Sequence, residues 1–175
     1  MLGLNRNNVV LSTYNSGWEL AFQDEKKSIL DKFGNKVVAV EHVGSTAIPG
    51  MSAKPVLDFM VAIESLDNYK SFVEPLRELG YEFRREYLDS QQHVLFVKGS
   101  EDFRTHYLKL TELNSEFWEE HILFRDYLIS HREVAEEYKQ LKEKLQVSNA
   151  SSRATYTELK SEFIQNVLRL ARQEK

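Results

Sequence analysis

A carboxylate stranded in an otherwise apolar run needs a chemical reason. Asp58 is the one charged residue in Pro55-Val-Leu-Asp-Phe-Met-Val-Ala-Ile63. Upstream, Val37, Val38, Val40 and Val43 lead into Gly44-Ser45-Thr46. A strand that ends in Gly-Ser exposes backbone N–H groups and a hydroxyl at a tight turn, a common way of holding a phosphate oxygen. An acid on the following strand, beside such a turn, can hold a divalent cation bound to the same phosphates. Lys54, between the turn and Asp58, suits an anion contact. The competing account of Asp58 is a structural ion pair with Lys54, Arg104 or His106, because an unpaired buried charge is costly. His42 and His106 read equally well as core histidines. No histidine pair has zinc-protease spacing and no Gly-Xaa-Ser-Xaa-Gly elbow is present.

Both features must be carried by regular elements. Trp18, Phe22, Ile29 and Phe33 recur at steps of four and seven, which predicts an amphipathic helix capped by Asn15 or Ser16 and stopped by Gly34-Asn35. The β-branched run over 36–43 predicts the strand that enters the turn, and 55–63 the strand that carries Asp58. A helix is expected from Ser65 to Leu79, with Gly80 as its stop. Strands follow over 81–85, 93–98 and 104–111, the last two joined as a hairpin by Gly99-Ser-Glu-Asp102. From Asn114 the period turns helical. Two consecutive helices carry Phe117, Trp118, Ile122, Phe124 and Leu128, then Val134, Tyr138, Leu141 and Leu145. Residues 147–152 break the pattern, and a last helix runs from about Ala154 to Arg172. The order predicts an α+β fold, read as a single domain with a core over about 1–112 and a helical tail over about 113–175.

Composition narrows the class of function. The 175 residues carry a formal net charge of -4, which argues against broad nucleic-acid binding, since that rests on neutralising phosphates. The chain contains no cysteine, so thiolate metal sites, cysteine nucleophiles and disulfides are excluded and the cytosol is the expected compartment. No stretch approaches the roughly 18 apolar residues of a membrane span, and the first residues do not read as an export signal.

The segment Gly44-Ser-Thr-Ala-Ile-Pro-Gly50, followed by Lys54-Pro and Asp58, resembles the signature of the GrpB family, placed in the nucleotidyltransferase superfamily. Further matches run in order through Gly80-Tyr81, Arg104-Thr-His106, Phe124-Arg-Asp-Tyr-Leu128, Tyr138 with Lys142, and Arg153 with Tyr156 and Lys160. The resemblance implies a mixed sheet with flanking helices and a nucleotide or phosphorylated small molecule as ligand. In active members of the superfamily, the Gly-Ser turn holds a triphosphate. Two carboxylates one residue apart on the next strand, and a third on a later strand, then bind metal. Here Met60 replaces the second carboxylate, and His106, Tyr107 and Lys109 stand on the later strand, where Lys109 would repel a cation. A magnesium site at Asp58 would need a second acid such as Glu41 or Glu64. The resemblance implies phosphate or nucleotide contacts from Gly44, Ser45, Thr46, Lys54, Arg104 and His106. It also implies that Arg125, Arg153 and Lys160 fold back over the turn, against the plain reading of a solvated helical face. Three functions follow as expectations. The first is nucleotide binding with magnesium-dependent nucleotidyl transfer to an unknown acceptor. The second is non-catalytic binding of a nucleotide or a coenzyme A precursor, because GrpB-like domains also occur fused to dephospho-coenzyme A kinase. The third is a scaffold or interaction domain.

Overall fold

The computed structural model describes residues 2–5, 10–85, 92–148 and 153–174, except for the side chains of Asn5 and of 147–148 and 153–159. The described strands are β1 (Leu4–Asn5), β2 (Ala39–Val43), β3 (Leu57–Ile63), β4 (Tyr81–Phe83), β5 (His93–Gly99) and β6 (Phe103–Glu112). They form one mixed sheet in the order β2-β3-β6-β5-β4, with β1 paired to β6. Among these, only β3 and β6 run parallel. The expected hairpin is β5–β6, and the apolar β3 sits between two neighbours, as a strand buried on both faces should. The two-residue β1 was not foreseen, being too short to carry a period.

Helices cover both faces. On one, α1 (Gly17–Phe33) and α2 (Lys70–Glu78) pack Trp18, Phe22, Ile29, Phe33, Phe72 and Leu76 against Leu57, Phe59, Val61 and Ile63 of β3. The four spaced apolar residues of α1 are all buried, and the Asn15 side chain accepts from the Gly17 N–H at 2.8 Å. On the other face, Trp118 of α3 (Glu116–Ser130) packs against Val43, Met60 and Ala62. Side chains alternate along a strand, so Asp58 shares the α3 face with Met60. The second expected helix begins as a 3₁₀ turn over Leu66–Asn68 before α2 proper, with Ser65 capping as its position suggests.

The helices α4 (Arg132–Ser148) and α5 (Arg153–Gln173) complete the predicted tail; α4 continues through Val147 and Ser148, where the sequence predicts a break, and 149–152 fall outside the described residues. Tyr127, Leu128, Tyr138, Val167 and Ala171 form a second core that takes in Ile48 and Met51, from the segment after the Gly-Ser turn. The tail therefore grips the chain just beyond the candidate site. Among the described residues no helix is long and apolar enough to cross a membrane.

Candidate functional site

Gly44 follows the last residue of β2, and Val43 pairs directly with Asp58 across the antiparallel ladder. Its backbone, at φ 72° and ψ -173°, lies in a region that essentially only glycine enters. A Cβ at this position would stand 3.0 Å from the Asp58 Cβ and 3.3 Å from its Oδ2. The turn and the acid are thus in contact, and glycine is required both by torsion and by space. A 3₁₀ turn over Ser45–Ala47 continues from Gly44.

Thr46 is buried, and its hydroxyl lies 2.9 Å from His42 Nε2. The other ring nitrogen, Nδ1, is 3.3 Å from the Glu19 carboxylate. Donation from Nδ1 to Glu19 leaves Nε2 to accept from Thr46, so Glu19, His42 and Thr46 form a chain behind the turn. His42 also stacks on Phe22 at 4.7 Å. Burial pushes its pKa down, with Glu19 opposing, so the neutral imidazole of this chain is the favoured form.

Lys109, opposite Met60 in the parallel register, places Nζ 3.5 Å from Asp58 Oδ1. Arg125 of α3 reaches back to β2, where Nη1 donates to Glu41 at 2.6 Å and to the His42 carbonyl at 2.8 Å. Nearby, His93 and His121 each stack on or tilt against Phe117 at 4.2 Å. Burial, with the Lys109 charge second, pushes both down to about 4, so both are neutral at pH 7.

These residues form a poor magnesium cage. Asp58 is engaged by an ammonium and Glu41 by a guanidinium. Met60, buried beneath Trp118, occupies the neighbouring position on the Asp58 face of β3, and no three His, Asp or Glu side chains gather as metal ligands among the described residues. The donor set does not fit a resident divalent ion, which requires several oxygens free to coordinate it.

A strand, Gly-Ser turn and lone-acid strand on one edge of a mixed sheet, backed by three tail helices, can be compared with known proteins. The family model described as "GrpB protein" matches residues 8–170. The chain belongs to the GrpB family. It is 35% identical over 171 residues to the glutamate-rich protein GrpB of Alkalihalophilus pseudofirmus, covering 96% of this chain and 98% of that one. The crystal structure of the conserved protein GrpB from Enterococcus faecalis superposes with a TM-score of 0.84 at 27% identity, covering 94% and 98% of the two chains. The Cid1 poly(U) polymerase structure aligns at TM-score 0.50 and 12% identity, over 75% of this chain and 40% of its own. That last likeness concerns fold alone, and it supports a nucleotidyltransferase-like α+β architecture for this GrpB chain.

Of the residues singled out in the sequence, Gly44, Ser45, Thr46, Asp58 and Arg125 come together around the end of β2. Asp58 does have an ion-pair partner, but it is Lys109 rather than Lys54, Arg104 or His106. Arg104 and His106 occupy the opposite face of the sheet. Arg104 donates to Glu82 at 3.0 Å and to the Gly99 carbonyl at 2.9 Å. His106 sits edge-on to Tyr81 with Nε2 3.8 Å from Glu25. The sequence reading had no means of assigning faces on β6, where a shift of one residue exchanges them. Lys160 is near enough to Lys142 to depress its pKa. The side chains of Arg153 and Tyr156 lie outside the described residues. Lys54 is half-buried, and its carbonyl accepts from the Val56 N–H at 2.7 Å.

Two participants escaped the sequence reading. Sequence alone marks Lys109 as hostile to a metal and Lys142 as part of a motif. Lys142 is 1% exposed, donates to the Ser52 carbonyl and lies 4.9 Å from the Tyr138 ring centre, while Ser52 Oγ donates to Glu143 at 2.9 Å. The signal for Lys142 was its spacing from Tyr138, one helical turn, on a face otherwise apolar.

Proposed function

We propose that this GrpB protein binds a nucleotide, or a related phosphorylated cofactor, through the phosphates at Gly44-Ser45-Thr46, with Asp58 and its cationic neighbours defining the floor of the site. The contact between Gly44 and Asp58 carries this reading. A backbone conformation open essentially to glycine alone is held where an added Cβ would crowd the acid, and glycine is the residue used where a backbone must approach a neighbour or ligand closely. The Glu19–His42–Thr46 chain supports it by fixing the turn from behind. The family's nucleotidyltransferase-like fold adds the ligand class by analogy. Nucleotidyl transfer is the less supported reading, because the carboxylates on this face are already paired.

Calorimetric titration of ATP, GTP, CTP, UTP and dephospho-coenzyme A, with and without magnesium, tests the proposal on the wild type and on Ser45→Asp. Saturable binding of at least one ligand, lost when a carboxylate is introduced at the turn, is the expected outcome. Equal binding by both proteins would place the phosphates elsewhere. Absence of binding by the wild type to any of the ligands would favour a scaffold role.

A further inference from the structure

The poor fit between this site and a metal has a constructive counterpart, which rests on the phosphate-binding reading above. We infer that Lys109 is the resident cation of the Asp58 face, so that the anion site beside Gly44 takes phosphate groups without a divalent metal. The Lys109 side chain is 19% exposed and that of Asp58 35%, so both members of the pair are half-buried. One carboxylate oxygen, Oδ2, lies against Gly44, and the other, Oδ1, lies 3.5 Å from the ammonium. A divalent ion on either oxygen would therefore meet a fixed positive charge within one carboxylate's width, the like-charge arrangement that disfavours binding.

The same ammonium, on a half-buried side chain, has donors to spare. It makes an ion pair but no hydrogen bond among the described residues, although it carries three donors. A half-buried cation with donors to spare beside a phosphate-type turn is complementary to an anion. Around it, Lys109 pairs with Asp58 and Arg125 is shared between Glu41 and Asp126, while His93 and His121 are neutral at pH 7. Among the described residues the buried Nδ1 of His93 on this face has no hydrogen-bond partner.

The test uses inorganic tripolyphosphate and Mn²⁺ as probes. Calorimetry should show tripolyphosphate binding the wild type at least as tightly in EDTA as in magnesium, and about tenfold or more weakly when Lys109→Met removes a charge-assisted donor. Electron paramagnetic resonance of free Mn²⁺ should show no uptake by the wild type. Lys109→Glu, which sets a second carboxylate beside Asp58, should take up Mn²⁺ and lose it again when Asp58→Ala is added. Lys109→Gln and near-ultraviolet circular dichroism control for misfolding. Tripolyphosphate binding that requires magnesium, or Asp58-dependent Mn²⁺ uptake by the wild type, would overturn the inference. Failure of tripolyphosphate to bind under any condition would instead sink the phosphate reading. In that case the manganese arm still decides the cation assignment, which is upheld if only Lys109→Glu accepts the metal and overturned otherwise.

Discussion

Replacing Gly44 with alanine should destabilise the protein more than the same change at any turn glycine with room around it. Gly50 supplies the comparison: its φ is 79°, close to the 72° of Gly44, yet nothing lies within 4 Å of a Cβ added there. At Gly50 the cost is the left-handed backbone alone, about 1.5 kcal/mol. At Gly44 the glycine-only torsions contribute up to about 3 kcal/mol before contact is counted, and the new methyl meets the Asp58 Cβ at 3.0 Å. In a chain of this size each kcal/mol shifts the melting temperature by roughly 2–4 °C. Gly50→Ala should thus lower it by about 3–6 °C and Gly44→Ala by about 6–12 °C, read by differential scanning calorimetry. The crowding component can be isolated, since Asp58→Gly removes the three atoms nearest the new methyl, and Gly44→Ala should therefore cost less in the Asp58→Gly background than in the wild type. If Gly44→Ala melts no lower than Gly50→Ala, the close approach of turn and acid is not what requires glycine here.

Two further outcomes follow from the buried polar groups. Burial, reinforced by the Lys160 charge, pushes Lys142 from its usual 10.5 down to about 7. The native chain then gives up a proton that the unfolded chain keeps, so stability should rise between pH 7 and 10.5 by up to about 1.4 kcal/mol per pH unit from this group. Chemical denaturation across that window should show a shallower rise for Lys142→Met; an unchanged slope would contradict the assignment. His42→Ala removes the bond to Thr46 and the stack on Phe22, and should cost about 2–3 kcal/mol in urea unfolding, with His42→Gln recovering part of it. Equal losses for Ala and Gln would mean that the ring's packing, not its hydrogen bond, supports the turn.

The fold was largely legible in the sequence because its signals are local and periodic. The spacing of Trp18, Phe22, Ile29 and Phe33 sufficed for α1, and the glycines after Phe33 and Leu79 marked where helices end. Strand edges were less legible: β2 begins at Ala39 rather than Lys36, since Gly34–Lys36 is taken up in a 3₁₀ turn. At the site, Gly44 and Asp58 were legible as a pair because each breaks the pattern of its own strand. Their contact partners were not. Lys109 reaches Asp58 only because β6 lies beside β3, and no local pattern specifies a parallel pairing between strands so far apart in sequence. Arg104 and His106 read as site residues on their family positions, yet the pleat turns them toward Glu82 and Glu25 on the far face. Arg125 needed the packing of α3 over the sheet before its reach to Glu41 could be known.

The most direct measurement of the central claim is amide chemical-shift mapping by nuclear magnetic resonance as ATP is titrated into the wild-type protein in EDTA. The account predicts that the largest shifts fall on Gly44, Ser45 and Thr46, with smaller ones along β3 and β6 around Asp58 and Lys109. Shifts confined to other surfaces, or no shifts at saturating nucleotide, would contradict it.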